Sequence, residues 1–224
     1  TTWGSDWCAK VREINDLGIE ELALFPTALE YQERQELFQL LDKSNLKRAP
    51  FVHLRTDMMR VEIDQFVNRF DSEIFNIHPS KEALQFLADN HDLAPKIYVE
   101  NCLSMDYFEE TLKLCAGICL DISHYEDFAL IQHTPGQDRF IELLKDYKVG
   151  CTHMPAVRKE PYEAITHGET LKVYECHTMN EMSEMDYLKK HKECLGEFNA
   201  IELNNSFLEQ LQVKKYLEKI FELE

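Results

Sequence analysis

Basic residues are scarce in this sequence: 24 Lys and Arg stand against 41 Asp and Glu, giving a formal charge of −17. That deficit excludes a general affinity for nucleic acid or anionic membrane, because phosphate binding rests largely on Lys and Arg. Duplex DNA is therefore a disfavoured partner. No CxxC pair occurs among Cys8, Cys102, Cys115, Cys119, Cys151, Cys176 and Cys194, and seven is an odd number. Neither a disulfide framework nor a zinc ribbon is signalled, and reduced thiols in a cytoplasmic protein are the expectation. No apolar run reaches transmembrane length, and none reads as a signal peptide. Long linkers and low-complexity segments are missing too.

What is present is enough apolar material for a substantial core, 44% hydrophobic and 11% aromatic, and residues 1–224 are expected to form one domain. Short apolar runs alternate with polar, helix-periodic stretches. The runs are LALF (22–25), FVHL (51–54), IFNIH (74–78), KIYVE (96–100), GICLD (117–121), VGCTH (149–153), KVYECH (172–177) and AIEL (200–203). Brief apolar runs bounded by turn signals read as buried parallel strands. Between them, residues 30–44 place Leu37, Leu40 and Leu41 on one side, and residues 59–70 place Val61, Ile63, Phe66 and Val67 at helical spacing. Residues 80–90 open on a serine N-cap candidate, and residues 206–221 close the chain as a further helix. The alternation predicts an α/β fold, a (β/α)8 TIM barrel with parallel strands inside and helices outside. The chain opens TTWGSD, without methionine. If residues 1–3 are the remnant of a first strand, KVYECH becomes a loop excursion.

The strand ends share a chemistry. FVHL carries His53, IFNIH ends at His78, KIYVE at Glu100 and GICLD at Asp121, with His124 three residues on. VGCTH ends at His153, KVYECH carries Glu175 and His177, and AIEL carries Glu202. Parallel strands in a barrel bring such side chains to one mouth. Four carboxylates there would repel one another unless a cation were bound. Mixed imidazole and carboxylate ligation favours zinc or manganese over calcium or magnesium, and nine ligands fit two or three ions better than one. Each residue has a plainer alternative: a lone His53 or His177 as an ordinary histidine, Asp121 as a helix N-cap, Glu202 as a loop entry. It is their joint occurrence that argues for metal. His91, His133, His167 and His191 fall in helices or loops and stay outside the set.

These residues resemble those of the xylose isomerase-like TIM barrels, and within them the endonuclease IV (type 2 apurinic/apyrimidinic endonuclease) branch. The likeness runs from about residue 18 onward. NIHPS, YVEN, LDISH, THMPA, ECH, IELNN and VHLR each resemble an element of that branch, with Glu175 standing where it commonly has aspartate. The resemblance implies a multinuclear zinc site that hydrolyses phosphodiesters. Asp-x-x-His is shared with sugar isomerases and epimerases of the superfamily; His53, His78, Glu175 and His177 tilt the reading toward hydrolysis.

The expected function is therefore a metal-dependent phosphoester hydrolase, with Glu100, Glu202 and His124 as candidate catalytic groups and Arg55 and Arg158 holding substrate. A small or single-stranded phosphorylated substrate fits the charge. The alternatives are a single-metal sugar or sugar-phosphate isomerase, with Glu100 and Glu202 moving the proton, and a barrel without catalysis.

Overall fold

The computed structural model describes residues 5–166 and 169–222. The candidate strand remnant at residues 1–3 and His167 lie outside the described residues.

Six strands form one parallel sheet: β1 (Phe51–His53), β2 (Ile74–Ile77), β3 (Ile97–Glu100), β4 (Gly117–Asp121), β5 (Val149–Met154) and β8 (Phe198–Ile201), in that spatial order. Residues 21–24 continue the sheet beyond β1, with parallel bridges Glu21 to Arg48 and Leu24 to Val52. The Leu24 N–H donates to the Phe51 carbonyl, and the His53 N–H donates to that of Leu24, both at 2.9 Å. Helices lie outside the sheet, α1 (Trp7–Leu17) and α2 (Tyr31–Leu41) before β1, α3 (Arg60–Phe70), α4 (Lys81–Asp89), α5 (Phe108–Leu112), the single turn α6 (Ile122–His124) and α7 (Gln137–Asp146) in the crossovers, and α8 (Phe207–Ile220) after β8. A π-helical stretch, Tyr125–Ile131, continues α6. The result is an α/β parallel barrel, nearly closed.

Two of the eight expected strands are corrected. LALF contributes a bridged ribbon rather than a full strand. KVYECH belongs to β7 (Glu169–Cys176), which pairs antiparallel with β6 (Ala156–Thr166) as a separate two-stranded hairpin. Its partner is the polar stretch RKEPYEAIT, which does not look like a barrel strand. Pro161 has no N–H to give the ladder, and the register shifts between Val157 and Tyr162.

The helices start where local chemistry satisfies their first N–H groups. Ser80 Oγ accepts from the Ala83 N–H, and Glu62 reaches back to the Met59 N–H. Two expected core residues turn outward: Val61 is 64% exposed and Leu40 is 36% exposed, while Ile63, Phe66, Leu37 and Leu41 are buried.

Side chains alternate across each strand. Val52, Phe75, Val99, Ile118 and Leu120 face the helices. Phe51, Ile74, Tyr98, Cys119, Cys151 and Ala200 cluster inside the barrel with Phe25. A bulge helps this layer close: Ile118 pairs with Val149 but Cys119 pairs with Cys151, leaving Gly150 extra. A Cβ on Gly150 would lie 2.1 Å from the Tyr98 ring, so glycine there lets the ring lie across the barrel. Above this apolar floor, two residues further along each strand, the interior turns polar.

Candidate metal centre

The period of two decides which residues meet. Two positions beyond the floor layer stand His53, Asn76, Glu100, Asp121, His153 and Glu202, and each is at most 8% exposed. A mouth of about 700 Å³ opens above them and is also lined by His78, His124, Arg158, Tyr162 and His177.

Asp121 and His124 are placed by one short turn. Asp121 Oδ1 caps α6, accepting from the His124 N–H at 2.9 Å and from Ser123 Oγ at 2.7 Å. Asn101 braces the same strand end, taking the Asp121 N–H at 2.8 Å and donating to its carbonyl at 3.0 Å. The N-cap reading is met, and it leaves Oδ2 of Asp121 buried without a hydrogen-bond partner.

Two histidines are held in the tautomer a metal needs. His53 Nδ1 lies 3.0 Å from the Leu54 carbonyl, and His124 Nδ1 lies 2.9 Å from the Asn101 carbonyl. A carbonyl only accepts, so each Nδ1 carries the proton and each Nε2 presents a lone pair. His53 Nε2 faces Glu100 Oε2 at 3.0 Å and His78 Nε2 at 3.2 Å. His78, whose side chain is 56% exposed, reaches Glu100 Oε1 at 3.4 Å.

On the other side of Glu100, His153 Nδ1 lies 3.3 Å from Glu100 Oε2 and 3.1 Å from Glu202 Oε2. Neither contact has hydrogen-bond geometry: both ring nitrogens of His153 are without a partner, as is Glu202 Oε2. His177 Nε2 lies 3.5 Å from Glu202 Oε1, and its Nδ1 lies 3.7 Å from Glu175 Oε2, another buried oxygen without a donor. Leaving one such atom unsatisfied costs about 1–3 kcal/mol. Clustered acceptors that find no donor are what a cation would satisfy, so these residues fit a metal centre.

Four overlapping groups bring ligand atoms within 4.8 Å of one another: His53–His78–Glu100, Glu100–Asp121–His124, Asp121–His153–Glu202 and Glu100–Cys119–His153. Glu100 belongs to three groups and Asp121 to two.

Protons take up part of the charge. Burial pushes the Glu100 carboxyl up, but His153, His78 and His53 outweigh it and hold it well below the usual range. Burial opposes protonation of His153, yet Glu100 and Glu202 raise it well above an ordinary histidine. His177 likewise overcomes burial, and Glu202 and Glu175 raise it to about 10. Burial keeps His53 low and therefore neutral. Glu175 is raised by burial, with Asp121 and Asp127 adding to it.

Of the nine expected ligands, His53, His78, Glu100, His124, His177 and Glu202 line the mouth, while Asp121 and His153 are buried beneath it and Glu175 lies near His177 at the end of the hairpin. The two arginines differ. Arg55 has every guanidinium nitrogen engaged, by Asp57, Glu30 and the Thr27 carbonyl. Among the described residues, Arg158 meets Cys176 Sγ at 3.4 Å and the Tyr162 ring, and its buried Nε finds no partner there. Three residues were missed from the sequence. Asn76 donates to Glu100 Oε2 at 2.5 Å, and its inward period in IFNIH was the available signal. Cys119 sits two residues before Asp121 by the same period. Asp127 anchors the hairpin: its Oδ2 accepts the Tyr174 and Glu175 N–H groups at 2.6 and 3.0 Å. Nothing local in the sequence marks that role.

No protein-family model matches the chain, and no curated protein matches it. Among solved structures, the chain is similar to the crystal structure of a xylose isomerase domain protein from Planctomyces limnophilus, with a TM-score of 0.46 and 14% identity over 96% of this chain and 90% of that one. A likeness at that level carries no functional argument, and the barrel rests on its own strand order.

Proposed function

We propose that the chain is a single-domain, divalent-metal-dependent hydrolase of phosphoesters, of the endonuclease IV-like kind among xylose isomerase-like barrels, with two or three zinc or manganese ions in the mouth. One observation carries this reading: the ligand groups overlap, sharing Glu100 and Asp121. Shared carboxylates are how neighbouring ions are bridged. A single-ion site would have no use for His53 and His78 on the far side of Glu100.

His53, His78, Glu100, Asp121, His124, His153, Glu175, His177 and Glu202 would hold the ions. When bound, such ions polarise the phosphoryl group and lower the pKa of water at the site. The protein's own groups do the rest. The Leu54 and Asn101 carbonyls orient His53 and His124. Asn76 fixes one oxygen of Glu100. Arg158, over the mouth from the hairpin, receives a phosphate oxygen at its free nitrogen. A formal charge of −17 favours a small or single-stranded phosphorylated substrate over duplex DNA.

A second reading, a sugar or sugar-phosphate isomerase, is favoured by the placement of Glu100 and Glu202 on either side of His153. There the two glutamates would exchange a proton next to a carbonyl. Elemental analysis of protein purified without chelator separates the two. Two or three equivalents of zinc or manganese, with phosphoester cleavage abolished in His78→Ala, support the hydrolase. One equivalent, with activity surviving that change, supports the isomerase. No metal, and none taken up on titration, overturns both.

A further inference from the structure

Cys119 lies where the apolar floor meets the polar mouth. It is fully buried on β4, two residues before Asp121, so its side chain points into the barrel beneath that carboxylate. A carboxylate oxygen of Glu100, the Cys119 sulfur and a ring nitrogen of His153 lie within 4.8 Å of one another. Packing alone would account for a buried cysteine, which behaves as a small hydrophobe. It does not account for His153. That ring is buried completely, borders the same space, and has no hydrogen-bond partner at either nitrogen. An acid, a thiol and an unpartnered imidazole converging in a closed space form a ligand set of mixed hardness.

We infer that Cys119 is a metal ligand, a thiolate donor that joins Glu100 and His153 on an ion at the base of the mouth. The inference rests on the metal-centre reading above and sharpens it, since sulfur selects zinc over manganese or magnesium. Loading forms a metal–sulfur bond, and the thiol proton leaves to solvent. Cys151 pairs with Cys119 in the strand register and shares its inner layer, which places a second thiol beside the first.

Cobalt(II) titrated into metal-free protein tests this without reference to turnover. Wild type should develop the near-ultraviolet thiolate-to-cobalt charge-transfer band as the ion enters. Cys119→Ser should lose the band, and Cys151→Ser should keep it. Zinc affinity of Cys119→Ser should fall by more than the roughly 10–100-fold typical of an outer-shell partner, with manganese affinity changed far less. Cobalt uptake without the band, or a band that survives Cys119→Ser, overturns the thiolate ligand and leaves the metal centre standing. No cobalt uptake overturns both. Should Cys119→Ser fail to fold, zinc-edge X-ray absorption on wild type decides: one sulfur scatterer at about 2.3 Å supports the ligand, and a shell of only nitrogen and oxygen removes it.

Discussion

Nδ1 of His153 and Oε2 of Glu202 lie 3.1 Å apart inside the barrel, and neither atom has a hydrogen-bond partner. Two buried acceptors at that distance need either a proton or a cation between them. The polar interior is built to take a positive charge, and the rest of its behaviour follows from what supplies it.

Metal should stabilise the fold measurably. With free zinc at a hundred times its dissociation constant, linkage gives about 2.7 kcal/mol, or about 5–10 °C in Tm for a chain of this size. Thermal melts with chelator and with added zinc check this. In Asp121→Asn the zinc-dependent rise should shrink or vanish.

Removing the hairpin's anchor should harm the site from a distance. In Asp127→Asn an amide NH₂ can meet the N–H groups of Tyr174 and Glu175, or else Gln132 loses its acceptor. The expected loss is about 1–3 kcal/mol of stability. KM should rise, because Arg158, Glu175 and His177 ride on or beside that hairpin. His53 and Glu100 are on the sheet and His78 directly follows β2, so their share of the bound metal should stay. Melts, steady-state kinetics and elemental analysis together check all three.

Arg158→Ala should weaken binding of a phosphorylated substrate about 10–100-fold, the worth of one hydrogen bond to a charged group. The effect should appear in KM, with metal content unchanged. Arg158→Lys should rescue only in part, since an ammonium does not reproduce the guanidinium fork. Arg55→Ala should matter less for substrate, its nitrogens being already engaged.

A pH signature should come from outside the mouth. Glu126 and His191, both buried, pair at 2.8 Å. Burial pushes the Glu126 carboxyl up, but His191 and Lys190 hold it below its ordinary 4.5. Burial pushes His191 down, but Cys194 and Glu126 hold it above its ordinary 6.5. The depressed acid contributes stability above pH 4.5 and loses it as pH falls through its folded value. The raised base contributes below pH 6.5 and loses it as pH rises through its folded value. The gap in stability between wild type and Glu126→Gln should therefore be widest between those two limits, at about 1.5–3 kcal/mol. Denaturant titrations across that range check the shape.

Where the sequence was readable, one rule explains it. His53, Glu100, Asp121, His153 and Glu202 stand at or next to the ends of apolar runs, and a parallel strand delivers its end to the mouth. Asn76 and Cys119 obey the same inward period but do not stand out, one a neutral amide inside an apolar run and the other a small apolar residue. KVYECH has the composition of a barrel strand, and only its long-range partner, residues 156–166, makes it a hairpin. Arg158 and Arg55 look alike as loop cations. What separates them is Asp57 and Glu30, which arrive from elsewhere in space. Periodicity reports which face a residue takes, whereas partner choice is decided by the whole chain.

The hairpin has a consequence for how such a molecule can change. Among the described residues, β6 and β7 pair with each other and not with the six-stranded sheet, whose ladder runs without them. The rest of the hairpin, with Arg158 and Tyr162, can thus be replaced, and the chemistry held by His53, Glu100, Asp121 and His153 has no need to move so long as Glu175 and His177 at its end are kept. New substrates would be met by editing the awning and leaving the well alone.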